Sequence, residues 1–182
     1  MESKEETVLE LFFEEPTREW HFEEILKDAK ISRSKASIWL RRFMRERLVR
    51  RVKEKGKMPH YIGDYGSPSY KNRKRLFAMS KLYESGLLDE LISLDKARTV
   101  IIFGSLTRSD WNKDSDVDLF IYGYTQGLRT AKYEARLGRD IQVFACSNPA
   151  ELKRLGPGLI SNILKGQLIK GDLGFVKVDV NA

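Results

Sequence analysis

The stretch Ile101–Gly123, IIFGSLTRSDWNKDSDVDLFIYG, sets two apolar runs on either side of a polar turn. Arg98 to Phe103 and Val117 to Tyr122 are rich in β-branched and aromatic residues, which predicts two buried strands. Alternate residues of a strand share a face, so Asp116 and Asp118 should project to the same side with their carboxylates close together. Two carboxylates held that way repel each other unless a cation lies between them. Gly104 ends the first strand without a side chain to block a close approach. Ser105 then offers a hydroxyl and an amide where a helix should start, a place at which backbone N–H groups attract anions. Arg108, one turn further on, can reach a phosphate.

The rest of the composition decides which cation such a pair would take. Cys146 is the only cysteine, and His21 and His60 are the only histidines. A zinc constellation and an intrachain disulfide are both excluded. Oxygen donors alone favour Mg²⁺ or Mn²⁺. With 41% hydrophobic and 32% charged residues, a chain of 182 residues can build packed cores, as one medium domain or two small ones. No apolar run approaches the roughly 18 residues of a membrane span, and the acidic start MESKEETVLE has neither signal nor transit character. A cytoplasmic protein without membrane association is expected. The net charge of +7 is uneven: Met1 to Asp28 carries three basic and ten acidic residues, whereas Lys30 to Lys57 carries twelve and two. That contrast points to a localised basic face.

The segment GSLTRSDWNKDSDVDL, residues 104–119, resembles the signature of the nucleotidyltransferase superfamily: Gly-Ser, about ten residues, then Asp-x-Asp followed by apolar residues. It is most similar to the small prokaryotic minimal nucleotidyltransferases related to DNA polymerase β. Gly104 and Ser105 fall on the Gly-Ser pair, Arg108 on the usual arginine, Ser115 on the usual serine, and Asp116 and Asp118 on the metal-binding acids. Ser109 departs from the pattern, which has glycine after the arginine. The resemblance implies transfer of a nucleoside monophosphate from a nucleoside triphosphate, ATP first among the candidates, to an acceptor hydroxyl, with pyrophosphate leaving. Gly104, Ser105, Arg108 and Ser115 would hold the nucleotide, and two Mg²⁺ ions on the carboxylates would assist. The family's third carboxylate comes from a later strand, here GRDIQVFAC, Gly138 to Cys146. Its pattern puts Gln142 at that position. Asp140, two residues earlier on the same face, is the acid that a shift in strand pairing would bring to the catalytic site, and one residue of slip would turn both away.

Towards the N-terminus, Val8, Leu9, Leu11, Phe12 and Phe13 mark a first helix that should stop before Pro16. Phe22, Ile25 and Leu26 give a second helix its buried face. Ser32 is an N-cap for a third, in which Ala36, Trp39, Leu40 and Phe43 recur at helical spacing. Leu48 to Lys53 and His60 to Ile62 read as two short strands around the loop KEKGKMP. This segment, ISRSKASIWLRRFMRERLVRR above all, resembles the winged helix-turn-helix domains of archaeal and bacterial regulators. By that resemblance Arg33, Ser34, Lys35 and Ser37 would face DNA bases, and Arg41, Arg42, Arg45, Lys55 and Lys57 would face phosphates.

The turn-rich GDYGSPSY, residues 63–70, is the best boundary. A helix with a broad apolar face should follow from Ser69 to about Leu94, suited to lying between domains or to forming a homodimer. Near the C-terminus a helix start at Asn148-Pro149, a second short helix at about Gly158 to Lys165 and a strand at Gln167 to Lys170 are expected. The fold class is therefore α+β: a winged helix-turn-helix domain at 1–65, a connecting helix at 66–96 and a nucleotidyltransferase domain with a short mixed sheet at 97–182. The leading activity that the resemblance implies is Mg²⁺-dependent transfer to a protein or nucleic-acid hydroxyl. Resemblance to family members that act as antitoxins adds a helical, toxin-like protein partner. The alternative is a DNA-binding regulator whose nucleotidyltransferase domain, lacking the third acid, senses nucleotide or binds a partner.

Overall fold

A computed structural model describes residues 3–176. The chain forms two compact units, one comprising Met1–Leu76 with Asp110–Lys113, the other Phe77–Ser109 with Asp114–Ala182. Among the described residues no helix is long and apolar enough to cross a membrane.

In the first unit, Ser3 and Glu6 form a reciprocal capping box that starts α1 (Lys4–Glu14), which buries Val8, Leu9, Phe12 and Phe13 and stops before Pro16. A short strand, β1 (Trp20–His21), leads into α2 (Phe22–Ala29), closed by Lys30 in the left-handed conformation. Ser32 caps α3 (Arg33–Arg45), whose Ala36, Leu40 and Phe43 are buried. Strands β2 (Val49–Val52) and β3 (His60–Gly63) follow, and the antiparallel sheet runs β1-β3-β2. The sequence does not predict β1, because two residues are too few to show alternation; pairing with His60 and Tyr61 makes them a strand. The unit also holds Trp111, which is buried, packs edge-on against Phe13, and receives a hydrogen bond from Lys74 Nζ at its carbonyl. Tyr70 donates to the carbonyl of Phe12 at 2.6 Å.

The single helix expected from Ser69 to Leu94 is two: α4 (Pro68–Ser85) and α5 (Leu87–Ser93). Gly86 separates them at φ +81°, a left-handed backbone that glycine adopts without a Cβ clash. The Ser85 hydroxyl, which accepts the Leu87 N–H and donates to the Leu82 carbonyl, secures the break.

The second unit carries a four-stranded mixed sheet in the order β6-β5-β4-β7, with β4 at Ala97–Phe103, β5 at Val117–Gly123, β6 at Ile141–Cys146 and β7 at Gln167–Lys170. Strands β4 and β5 are antiparallel, β5 and β6 parallel. Parallel neighbours need a crossover, and α7 (Thr130–Leu137) supplies it, ending at Gly138 with φ +64°. This helix escapes the sequence reading because Tyr133 is its one buried residue, which leaves no apolar stripe. One sheet face buries Ile101, Phe103, Phe120 and Tyr122 together with Leu152 of α8 (Pro149–Arg154) and Ile163 of α9 (Gly156–Leu164). The alternate residues Val100, Ile102, Leu119 and Ile121 are buried as well, which accounts for strands that read as continuous apolar runs.

Candidate functional site

Asp118 lies in register with Phe103 on β4 and, on the other side, with Gln142 on β6. It shares a face with Phe120 and Tyr122, so the apolar stripe beneath the sheet ends in a carboxylate. Asp116 precedes β5 by one residue and is half-buried. Burial pushes the Asp118 carboxyl above its ordinary range, the negative charge of Asp116 adds to the rise, and the Arg108 guanidinium opposes it. Asp116 and Arg108 thus both act electrostatically on Asp118.

Gly104 fits this acid closely. Its backbone stands at φ +77°, ψ −150°, and a Cβ added there would overlap the Asp118 carboxylate. Ser105 begins a single helical turn, α6 (Ser105–Arg108), in which the Arg108 N–H and the Thr107 hydroxyl both bond the Gly104 carbonyl. Ser109 follows at φ +68°, a left-handed residue with a buried hydroxyl that has no hydrogen-bond partner among the described residues. The departure from glycine at this position therefore keeps a backbone conformation that glycine favours.

The turn into the acids is fastened by a residue the sequence reading passes over. Arg139 Nη1 donates to the Ser115 carbonyl at 2.8 Å, and the Asp140 carbonyl accepts the Val117 N–H. An arginine two residues before a strand carries no sequence signal for this role, which depends on the parallel pairing. The Asp140 side chain is exposed, and Gln142 takes the position beside Asp118; Gln142 Nε2 donates to Asp116 Oδ2 at 3.2 Å. Among the described residues no group of three or more Asp, Glu, His or Cys comes together to hold a metal ion. The two aspartates do fit a hard divalent cation: both donors are oxygens, and a bound cation would offset the burial and the Asp116 charge that raise the Asp118 carboxyl.

The residues expected to meet DNA all lie on the first unit. Several are already engaged within it. Arg33 pairs with Glu23 at 2.6 Å, Arg42 with Glu5 and Glu46, and Lys57 with Glu54. Arg41 Nε bonds the Ser37 carbonyl, and the Ser34 hydroxyl lies 3.1 Å from that of Ser32. Lys35, Arg41, Arg45 and Lys55 are exposed. On α3 the exposed Lys35, Ile38, Arg41 and Arg45 form one face opposite the buried Ala36, Leu40 and Phe43.

Residues 84–164 match the family model described as a nucleotidyltransferase domain. That span runs from the end of α4 to the end of α9 and contains Gly104, both aspartates and Gln142. The mixed sheet with its helices is consistent with this fold, and a nucleotidyltransferase domain implies a nucleotide substrate and nucleotidyl transfer in general. No curated protein and no solved structure gives a significant match to the chain.

Proposed function

We propose that residues 97–182 form the catalytic domain of a nucleotidyltransferase that moves a nucleoside monophosphate from a nucleoside triphosphate to a protein or nucleic-acid hydroxyl. The close approach of Gly104 to the Asp118 carboxylate carries the reading, because it leaves backbone rather than side chain beside the acids. In this mechanism Asp116 and Asp118 hold Mg²⁺ or Mn²⁺, which when bound neutralises charge on the triphosphate and polarises its α-phosphate. Ser105 and Arg108 orient the β- and γ-phosphates, and Arg139, through Ser115, keeps the acids in place. The acceptor oxygen forms a bond to the α-phosphorus as the bond to the β-phosphate oxygen breaks, and pyrophosphate leaves. Gln142 supplies an amide where a carboxylate base would stand, so the acceptor proton passes to solvent and turnover is slow.

The test uses each of the four α-³²P-labelled nucleoside triphosphates with Mg²⁺ or Mn²⁺, together with cell-derived protein and RNA as acceptors. Label should transfer with at least one nucleotide, and Asp116→Asn with Asp118→Asn should abolish transfer. No transfer, together with no thermal stabilisation by any of the four, would sink the reading.

A second role is favoured by the exposed cationic face of α3. We infer that residues 1–65 are a winged helix that carries Lys35, Arg41 and Arg45 to duplex DNA, with 66–96 connecting it to the catalytic domain. Ile38, 58% exposed in the middle of that face, suits apolar contact with thymine methyl groups. Lys35→Ala with Arg41→Ala should weaken duplex binding across sequences and lower its salt dependence; unchanged binding would exclude the face.

A further inference from the structure

We propose that Arg47 and Arg50, aligned by the buried Asp64, form a clamp for the phosphates of a nucleic-acid backbone. The proposal uses none of the α3 residues assigned above and stands apart from nucleotidyl transfer. Asp64 is fixed by its own backbone, its N–H bonding the Leu48 carbonyl and its carbonyl accepting the Ser67 N–H. Its carboxylate, 9% exposed, serves two arginines at once: Oδ2 accepts from Arg47 Nε at 3.1 Å, and Oδ1 lies 3.4 Å from Arg50 Nε. Both contacts use Nε. The Nη ends of the two guanidiniums therefore remain available, and among the described residues neither arginine makes another ion pair.

Arg47 is held at φ +61°, a conformation that non-glycine residues adopt rarely, where the chain turns from α3 into β2. The pair borders an open groove of about 390 Å³ between the end of α3 and β2, which is an edge strand. Tyr65 is 48% exposed, and its ring lies 5.9 Å from the Arg50 guanidinium carbon. Two guanidinium forks with pre-set orientation suit a tetrahedral oxyanion. A polymer is favoured over a single small anion, because Arg51, Lys53 and Lys55 follow the clamp along the chain and are exposed. Isolated exposed charges bind weakly, whereas a polyanion gains through counterion release at each phosphate.

The experiment follows fluorescence anisotropy of the full chain with a labelled duplex and a labelled single strand of about 20 nucleotides, from about 50 to 200 mM salt. Arg47→Ala with Arg50→Ala should weaken binding about tenfold and reduce the log–log salt slope by about two. The deciding variant is Asp64→Asn. It adds net positive charge, so a patch acting by charge alone binds tighter, whereas an aligned clamp binds at least about threefold more weakly. Arg47→Lys with Arg50→Lys retains the charge and the fold but removes the forks, and should also bind more weakly. Melting curves of all variants confirm folding. Tighter binding by Asp64→Asn, unchanged slopes in the arginine variants, or no binding of either probe at 50 mM salt overturns the clamp. So does a loss confined to competition by a Glu-rich peptide or by free ATP, which would assign the groove to those anions. If Lys35→Ala with Arg41→Ala weakens binding while the clamp variants do not, the α3 reading stands and this one falls.

Discussion

Gln142 Nε2 donates a hydrogen bond to Asp116 Oδ2, and the same residue stands in parallel register beside Asp118. In the proposed mechanism an amide thus stands where a third carboxylate would act. It bridges to one acid without adding negative charge to a pair whose second member is already raised by burial and by its neighbour.

Replacing Gln142 with Glu should convert this arrangement into a three-acid site. A positioned general base contributes about 10²–10⁴-fold in rate, and an increase of at least tenfold in label transfer is expected. The comparison is the single-turnover rate of wild type and Gln142→Glu with the preferred nucleotide and metal. An unchanged or lower rate would show that the amide is not standing in for a base.

Gly104→Ala tests the close approach. The added methyl meets the Asp118 carboxylate, and the backbone conformation is one that L side chains rarely adopt, so destabilisation of about 1–3 kcal/mol is expected. Chemical denaturation reads this loss. Nucleotide-dependent stabilisation should vanish in the same variant.

Asp118→Asn makes a prediction about pH. Its folded-state carboxyl titrates above the unfolded value, so between those two values the folded chain holds more protons and stability falls as pH rises. Removing the charge should therefore raise Tm at neutral pH. The advantage should fade as pH drops below the ordinary carboxylate range, where wild-type Asp118 is protonated in both states. Melting curves from acidic to neutral pH without divalent cations follow this directly, and an advantage that persists at low pH would contradict it.

Ser109→Gly should be neutral or stabilising by up to about 1 kcal/mol. Glycine removes the left-handed penalty and the buried hydroxyl without a partner, against the larger entropy of glycine in the unfolded chain. A clear destabilisation, read by denaturant midpoint, would mean that the hydroxyl is satisfied in solution.

The site was legible wherever chemistry sits on consecutive residues. Two apolar strands, a glycine and Asp-Val-Asp are local signals, and the strands at Ala97–Phe103 and Val117–Gly123 appear where their composition places them. Long-range pairing was not legible from the residues alone; only the family pattern put Gln142 at the third position. The register that sets Gln142 beside Asp118 depends on α7, which shows no apolar stripe, and the fastening of Ser115 by Arg139 depends on that register in turn. The expected helix Ser69–Leu94 failed at Gly86 because its apolar residues continue on both sides of the break, so periodicity alone gave no reason to stop. In the basic block, composition gave the charge but not its partners: Glu5 neutralises Arg42 across 37 positions of sequence, and Asp64 gathers two arginines.

Trp111 sets a limit on how the protein can be dissected. The unit bearing the acids is discontinuous, since Asp110–Lys113 belongs with the N-terminal residues while the chain on either side does not. A truncation beginning at Phe77 would carry a tryptophan that is 3% exposed in the full chain but would lack Phe13 and Lys74, its neighbours there. Large apolar surface returned to water between α6 and Asp116 favours aggregation. Any activity measured on such a fragment would report a loop whose Trp111 has lost Phe13 and Lys74.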